Sequence, residues 1–93
     1  MINLSRIPEE FLARIKDYSN TEMCWEWTGG KRARGYAKFH RGKSLSAHRY
    51  VYSITIGRIP EGMEVHHTCL NKSCVNPSHL ELKTLDEHRR IHH

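Results

Sequence analysis

Val65-His66-His67-Thr68-Cys69-Leu70-Asn71-Lys72-Ser73-Cys74-Val75-Asn76-Pro77-Ser78-His79 holds two of the three cysteines of this 93-residue chain. Six of the eight histidines lie between His66 and His93. Packing alone does not account for so many ligand-type side chains in so short a run, and the stretch reads as two adjacent sites. Cys69-x4-Cys74-x4-His79 places three zinc-type ligands in one loop. Structural zinc is four-coordinate, with thiolate and imidazole ligands. Cys24, the remaining cysteine, can complete a Cys3His set and tie an early strand to the loop. Free buried thiols, with His79 capping a turn, are the plainer alternative.

On either side of the loop the pattern is regular. Met63 to His67 reads as a short strand and Leu80 to Lys83 as a second one. Thr84 with Glu87 three residues on is a capping-box pattern, so a helix is predicted from Leu85. His88 and His92 then share one face of it at i, i+4. Adjacent His66 and His67 point to opposite faces of a strand, so one could hold a metal while the other works as a base. A neutral imidazole suits proton abstraction from water. Phosphodiester hydrolysis also needs a cation to offset charge at the scissile phosphate, with His88 and His92 as candidate ligands. Asn76 can hold the loop by side-chain hydrogen bonds to backbone and so fix the base beside the metal.

Upstream, Pro8 to Tyr18 reads as a packing helix with Phe11, Leu12, Ile15 and Tyr18 on one face. Cys24-Trp25-Glu26-Trp27 suggests a strand ended by Gly29-Gly30, with both tryptophans in the core. Gly35 to His40 and Ser44 to Ala47 form a hairpin about Arg41-Gly42-Lys43. His48 to Ile56 suits a helix stopped by Gly57. His48 and Arg49 could touch a phosphate; a satisfied structural role for His48 is equally open.

Charge points to the partner. The chain carries a net +5, with a pI near 9.4. No Asp or Glu lies between Glu26 and Glu61, while Lys31, Arg32, Arg34, Lys38, Arg41, Lys43 and Arg49 all do. A one-sign block of this kind fits a polyanion, most simply DNA, and a two-stranded ribbon fits the major groove. A solvated basic surface is the bland reading. With 38% hydrophobic residues and a mean hydropathy of −0.70, the core is thin, and domains of this size commonly need a staple. No apolar run has the length of a secretory leader or a membrane span. A reducing, cytosolic setting with no membrane partner is expected, where cysteine beside histidine reads as metal before disulfide.

The residues resemble the HNH nucleases of the His-Me finger (ββα-metal) superfamily, with His67, Asn76 and His88 standing as H, N and H. The likeness is to phage and intron-associated members. It rests on Cys24 to Gly29, Gly35-Tyr36, Ala47-His48-Arg49, Gly57 to Gly62, His67 to Cys69 and Cys74 to Leu80, and covers about residues 24 to 92. The loop is also similar to the structural zinc site of His-Cys box homing endonucleases. The resemblance implies His67 as general base, Asn76 as the residue orienting loop or base, and His88 as ligand of the catalytic divalent ion. His66 and His92 would be further ligands of that ion, taken to be Mg2+, Mn2+, Ni2+ or Zn2+. Histidine at position 88, where many relatives carry Asn, suits transition metals better than magnesium.

The expected protein is thus α+β, a single domain over residues 1–93. A packing helix spans 8–18, a basic hairpin and helix lie within 24–58, and a ββα-metal motif over 63–93 is stapled by zinc. No separate DNA-binding module is expected after His93. The expected function is metal-dependent DNA cleavage, in a host cytoplasm if the chain is phage-encoded. A homodimer would suit a palindromic target. The rivals are a non-catalytic zinc-stabilised nucleic-acid-binding module and an assembly protein with a relict fold.

Overall fold

In the computed structural model, residues 4–32 and 34–84 are described. A strand, a metal-rich loop and a second strand form the C-terminal part, as the alternation predicts. Strand β3 (Met63–His67) pairs antiparallel with β4 (Leu80–Thr84), in a register that sets Val65 opposite Leu82 and His67 opposite Leu80. The intervening loop is closed at its base by Thr68, whose amide and hydroxyl both donate to the His79 carbonyl, at 2.8 and 3.0 Å. Near its end a 3-10 turn spans Pro77–His79. The helix expected from Leu85, with His88 and His92 on it, lies outside the described residues.

The basic hairpin also forms. Strand β1 (Lys38–His40) pairs antiparallel with β2 (Ser44–Ser46). Gly42 takes a positive φ of 74° at the tip, a conformation that glycine adopts without steric cost. Helix α2 (Ala47–Thr55) follows directly. Its C-terminus closes where the amides of Ile56 and Gly57 both return to the Tyr52 carbonyl.

The N-terminal helix is shorter than the periodicity predicts. Helix α1 covers only Glu9–Leu12, not 8–18. Beyond it the backbone pairs with the segment after Cys24. Ile15 bridges Trp27, Lys16 N donates to Glu26 O at 3.0 Å, and Thr28 N donates to Arg14 O at 2.6 Å. Tertiary pairing here outweighs helix propensity, which is only a weak prior. The Cys24–Thr28 segment is likewise not a regular strand but a seam bonded on two sides. Trp27 N donates to Ser73 O and Val75 N to Trp25 O, both at 3.0 Å, and Glu26 bridges Cys74. This seam carries Cys24 to the loop.

Both tryptophans are core residues, as expected. Phe11 lies among Trp27, Phe39 and Tyr50, with ring centroids 4.7, 5.0 and 5.6 Å away. Each indole N–H finds a carbonyl, Asn20 for Trp25 and Lys38 for Trp27, which removes the cost of burying a polar group. Ile7, Val51, Val65, Val75 and Leu80 complete the apolar interior.

One turn carries visible strain. Leu70 sits at φ 60° with its side chain 69% exposed, and its amide donates to the His67 carbonyl. A left-handed conformation costs an L-residue roughly 1–2 kcal/mol, part of which glycine returns in chain entropy. Leu70→Gly should therefore raise stability by about 0.5–1 kcal/mol, read from the midpoint of denaturant unfolding at unchanged slope.

Candidate active site and metal centre

The four ligands expected from spacing do converge. One ligand atom from each of Cys24, Cys69, Cys74 and His79 lies within 4.8 Å of every other. The seam delivers Cys24, the turn after β3 delivers Cys69, and the 3-10 turn delivers His79. Asn76 sets that turn. Its Oδ1 accepts from the Ser78 amide at 3.0 Å, and Pro77 follows at the first position. Asn76 Nδ2 donates to the carbonyls of Thr21 and Met23, at 2.8 and 2.7 Å, which draws the segment preceding Cys24 against the loop. Asn76 thus acts as the loop holder.

His79 Nε2 donates to the Glu22 carbonyl at 3.1 Å. That bond leaves the lone pair on Nδ1, which faces Cys24 Sγ at 3.7 Å and Cys74 Sγ at 3.5 Å. An outer hydrogen bond of this kind is how metal-ligating histidines are usually oriented. Burial pushes the Cys74 thiol up to about 12 and raises that of Cys24 as well. Sulfurs gathered this way, one of them buried, need a cation to hold them as thiolates. The donor set and its arrangement could hold a metal ion such as zinc.

His67 ends β3, 5% exposed, with Nε2 3.0 Å from the Cys74 carbonyl oxygen. His66 is equally buried and sits opposite Glu81. Two further rings pack against His67. His48, in the first turn of α2, has its ring centroid 4.5 Å away, and Tyr36 lies 6.0 Å from His67 and 5.6 Å from His48. Burial first, then the neighbouring His67 and Arg49, hold the His48 pKa down at about 3. The site-residue reading from sequence did not include this pair. For Tyr36 the only signal was membership of the Gly35-Tyr36 motif; His48 was read as a phosphate contact beside Arg49 or as a satisfied structural residue, not as a neighbour of His67.

The basic residues divide by position. Arg32, Arg34 and Arg49 line a cleft of about 380 Å³ with Tyr36, Ser46, His48, Glu64 and Val65. Lys31 donates to the Trp27 carbonyl and to Ser73 Oγ, bracing the seam. Arg41 pairs with Glu10 at 3.3 Å and donates to the Tyr50 hydroxyl. Lys38 is half-buried on β1, and Lys43 is exposed at the hairpin tip. Lys72, absent from the sequence-based set, holds Nζ 5.3 Å from the Tyr36 ring centroid.

Residues 46–90 match the model of an HNH endonuclease family. The chain belongs to the HNH endonuclease family. It is 45% identical over 64 residues to Protein 7.7 of Escherichia phage T7, covering 68% of this chain and 49% of that protein. Protein 2.8 of the same phage is 37% identical over 82 residues, covering 85% of this chain and 54% of the relative. The uncharacterized gene 5.3 protein of Enterobacteria phage T3 is 34% identical over 80 residues, 86% of this chain and 74% of its own length. The chain thus spans about half the length of the two T7 proteins it matches. No solved structure matches it. The HNH match takes in His48, His66, His67, Cys69, Cys74, Asn76 and His79, whereas Cys24 and Tyr36 lie outside it. No helix among the described residues is long and apolar enough to cross a membrane.

Two measurements follow from the charge states. Elemental analysis of the purified HNH protein should find about one tightly held ion per chain. Cys74→Ser or a strong chelator should remove it and unfold the domain, because metal binding and folding are coupled in small sites of this type. The second concerns His48, whose folded pKa lies below the ordinary value near 6.5. Between those values the unfolded chain binds the extra proton, so the stability tied to the neutral ring is complete above about pH 6.5 and is lost as the pH falls toward 3. Ring nitrogen shifts by NMR should show His48 still neutral at pH 5.

Proposed function

We propose that the chain is a metal-dependent DNA endonuclease in which His67 takes the proton of the attacking water. The observation that carries this reading is the hydrogen bond from His67 Nε2 to the Cys74 carbonyl, inside the region matching HNH endonucleases. A carbonyl only accepts, so Nε2 bears the hydrogen and the ring's in-plane lone pair is on Nδ1. That tautomer is a general base suited to neutral pH. Water attacks the phosphorus as its proton passes to His67 Nδ1, and the bond to the 3′ oxygen breaks. A divalent ion held by His66 with His88 and His92 would supply the charge that offsets the developing negative charge on the phosphate and the leaving oxygen. Arg32, Arg34 and Arg49 would hold neighbouring phosphates along the cleft, the role that fits planar, fixed-charge side chains. Lys31, Lys38, Arg41 and Lys43 would add attraction at longer range.

The second metal site has a different task in this reading. Zinc held by Cys24, Cys69, Cys74 and His79 would have four protein ligands, and closed sites of that kind are structural. It would hold the loop that carries the base's hydrogen-bond partner.

Supercoiled plasmid incubated with the protein and magnesium, manganese, nickel or zinc in turn tests the proposal. Nicked circles should form with at least one ion, and His67→Ala should slow nicking by roughly 10²- to 10⁴-fold, the usual contribution of a positioned base, at unchanged zinc content. No nicking with any ion would leave a non-catalytic zinc-stabilised DNA-binding module. Equal nicking by His67→Ala would take the base role from His67.

A further inference from the structure

His48 has features of a working residue that neither the spacing of metal ligands nor the family match explains. It is buried, at 8% exposure, yet polar. Nδ1 lies 3.0 Å from Ser46 Oγ, at the start of α2. That hydrogen bond and the burial of the ring set its orientation from the α2 side.

The ring so fixed touches His67 and Tyr36, and Tyr36 touches both histidines. The centroid separations are 4.5, 5.6 and 6.0 Å, with interplanar angles of 40°, 25° and 30°. Among the described residues His67 is held in two ways: Nε2 is bonded to the Cys74 carbonyl, and its ring is packed by two aromatic neighbours. The hydrogen bond selects the tautomer. The rings oppose rotation about the Cβ–Cγ bond, which would carry Nδ1 to the place of Cδ2 and break the bond at Nε2.

We propose that His48, backed by Tyr36, is a positioning residue for the reaction, a fixed wall that keeps the His67 ring turned so that Nδ1 meets the water. The proposal rests on His67 being the base. The proton goes to His67 and not to His48, whose Nδ1 is already engaged by Ser46 Oγ. Arg32 and Arg34 from the loop before β1, Arg49 from α2, and Glu64 from β3 are the charged groups lining the same cleft. A base displaced by as little as an ångström can cost about 10²-fold in rate.

His48→Ala, His48→Phe and His48→Asn, each with its bound metal, provide the test. The first measurement needs no DNA: NMR of the His67 ring nitrogens. Wild type should show a single tautomer with hydrogen on Nε2. His48→Ala should show a mixture or exchange-broadened signals, and His48→Phe, which restores a ring, should recover the single form. The second is nicking under saturating and limiting plasmid. His48→Ala should lower kcat by about 10- to 100-fold with KM held within about threefold, and His48→Phe should regain much of the loss. His48→Asn, which keeps a polar group toward Ser46 but not the ring, should behave as His48→Ala.

An unchanged His67 ring together with a wild-type kcat in His48→Ala would overturn the proposal. A loss confined to KM would do the same, since it would make His48 a DNA contact. Unfolding or metal loss in all three variants would make it a folding residue and overturn the proposal as well. Should wild type cut no DNA with any ion, the nuclease reading falls, and the ring measurement still decides whether His48 positions His67.

Discussion

Cys74 joins the two halves of the site through its two ends. Its sulfur stands in the ligand set, 3.5 Å from His79 Nδ1, and its carbonyl accepts from His67 Nε2 at 3.0 Å. Side chain and carbonyl belong to one residue, so covalent geometry fixes how far apart the metal centre and His67 can drift. The amide of Cys74 closes a turn onto the Asn71 carbonyl, and the residue bridges Glu26 in the seam. Every polar group it has is committed to a different part of the chain. A change at this position therefore reaches the ligand set, the seam and the His67 ring together.

A chain of this size leaves little else to do that work. The aromatic cluster of Phe11, Trp27, Phe39 and Tyr50 knits the N-terminal segment to the first hairpin and α2. The loop from 68 to 79 is held mostly by polar contacts: Asn76 to residues 21 and 23, Lys31 to Ser73, Asn71 to Glu26. Exposed hydrogen bonds such as those of Lys31 and Asn71 are each worth about a kcal/mol at best, and the part-buried ones of Asn76 little more. The sulfurs change that balance. With no cation Cys74 is a buried thiol pushed up to about 12, a site whose chemistry becomes favourable only when a positive charge arrives. A metal bound there would supply stability that the apolar interior of a small domain does not.

What the sequence disclosed follows the range of the interactions involved. Cys69, Cys74 and His79 are close in the chain, and ligand chemistry restricts residue type, so their convergence was legible from spacing, and Cys24 by elimination. Strands β3 and β4 were legible for the same local reason. The extent of α1 was not, because residues 14–16 are claimed by backbone partners at 26–28 that no periodicity displays. Asn76 was expected to fix the base beside the metal, and its bonds run to the segment before Cys24, so its service to the loop comes through the approach of that segment. The basic block was legible as a total but not in its division. Arg41 is drawn to Glu10 and Lys31 to the seam, while Arg32, Arg34 and Arg49 gather at the cleft. His48 and Tyr36 were hardest to foresee, since their meeting with His67 depends on how α2 sits against β3.

Departures from local rules also collect in one place. Ser46 stands at the N-cap of α2 yet makes no side-chain cap bond, and its hydroxyl lies against His48 Nδ1 instead. Such a cap is ordinarily worth about 0.5–2 kcal/mol to a helix. Leu70 accepts a left-handed backbone in the turn that closes on His67. His48 is buried at the cost of its ordinary basicity. Each departure opposes stability; Leu70 and His48 touch His67 directly, and Ser46 reaches it through His48. Local conflicts gathered around a single side chain are expected where placement of that side chain matters more than the comfort of its neighbours. A few residues away the same loop converges on its ligand set, so the costs are incurred beside the element that can offset them. The Cys/His cluster and His67 are in this sense one construction, in which a metal held by the cluster would confer the rigidity that the surroundings of the histidine require.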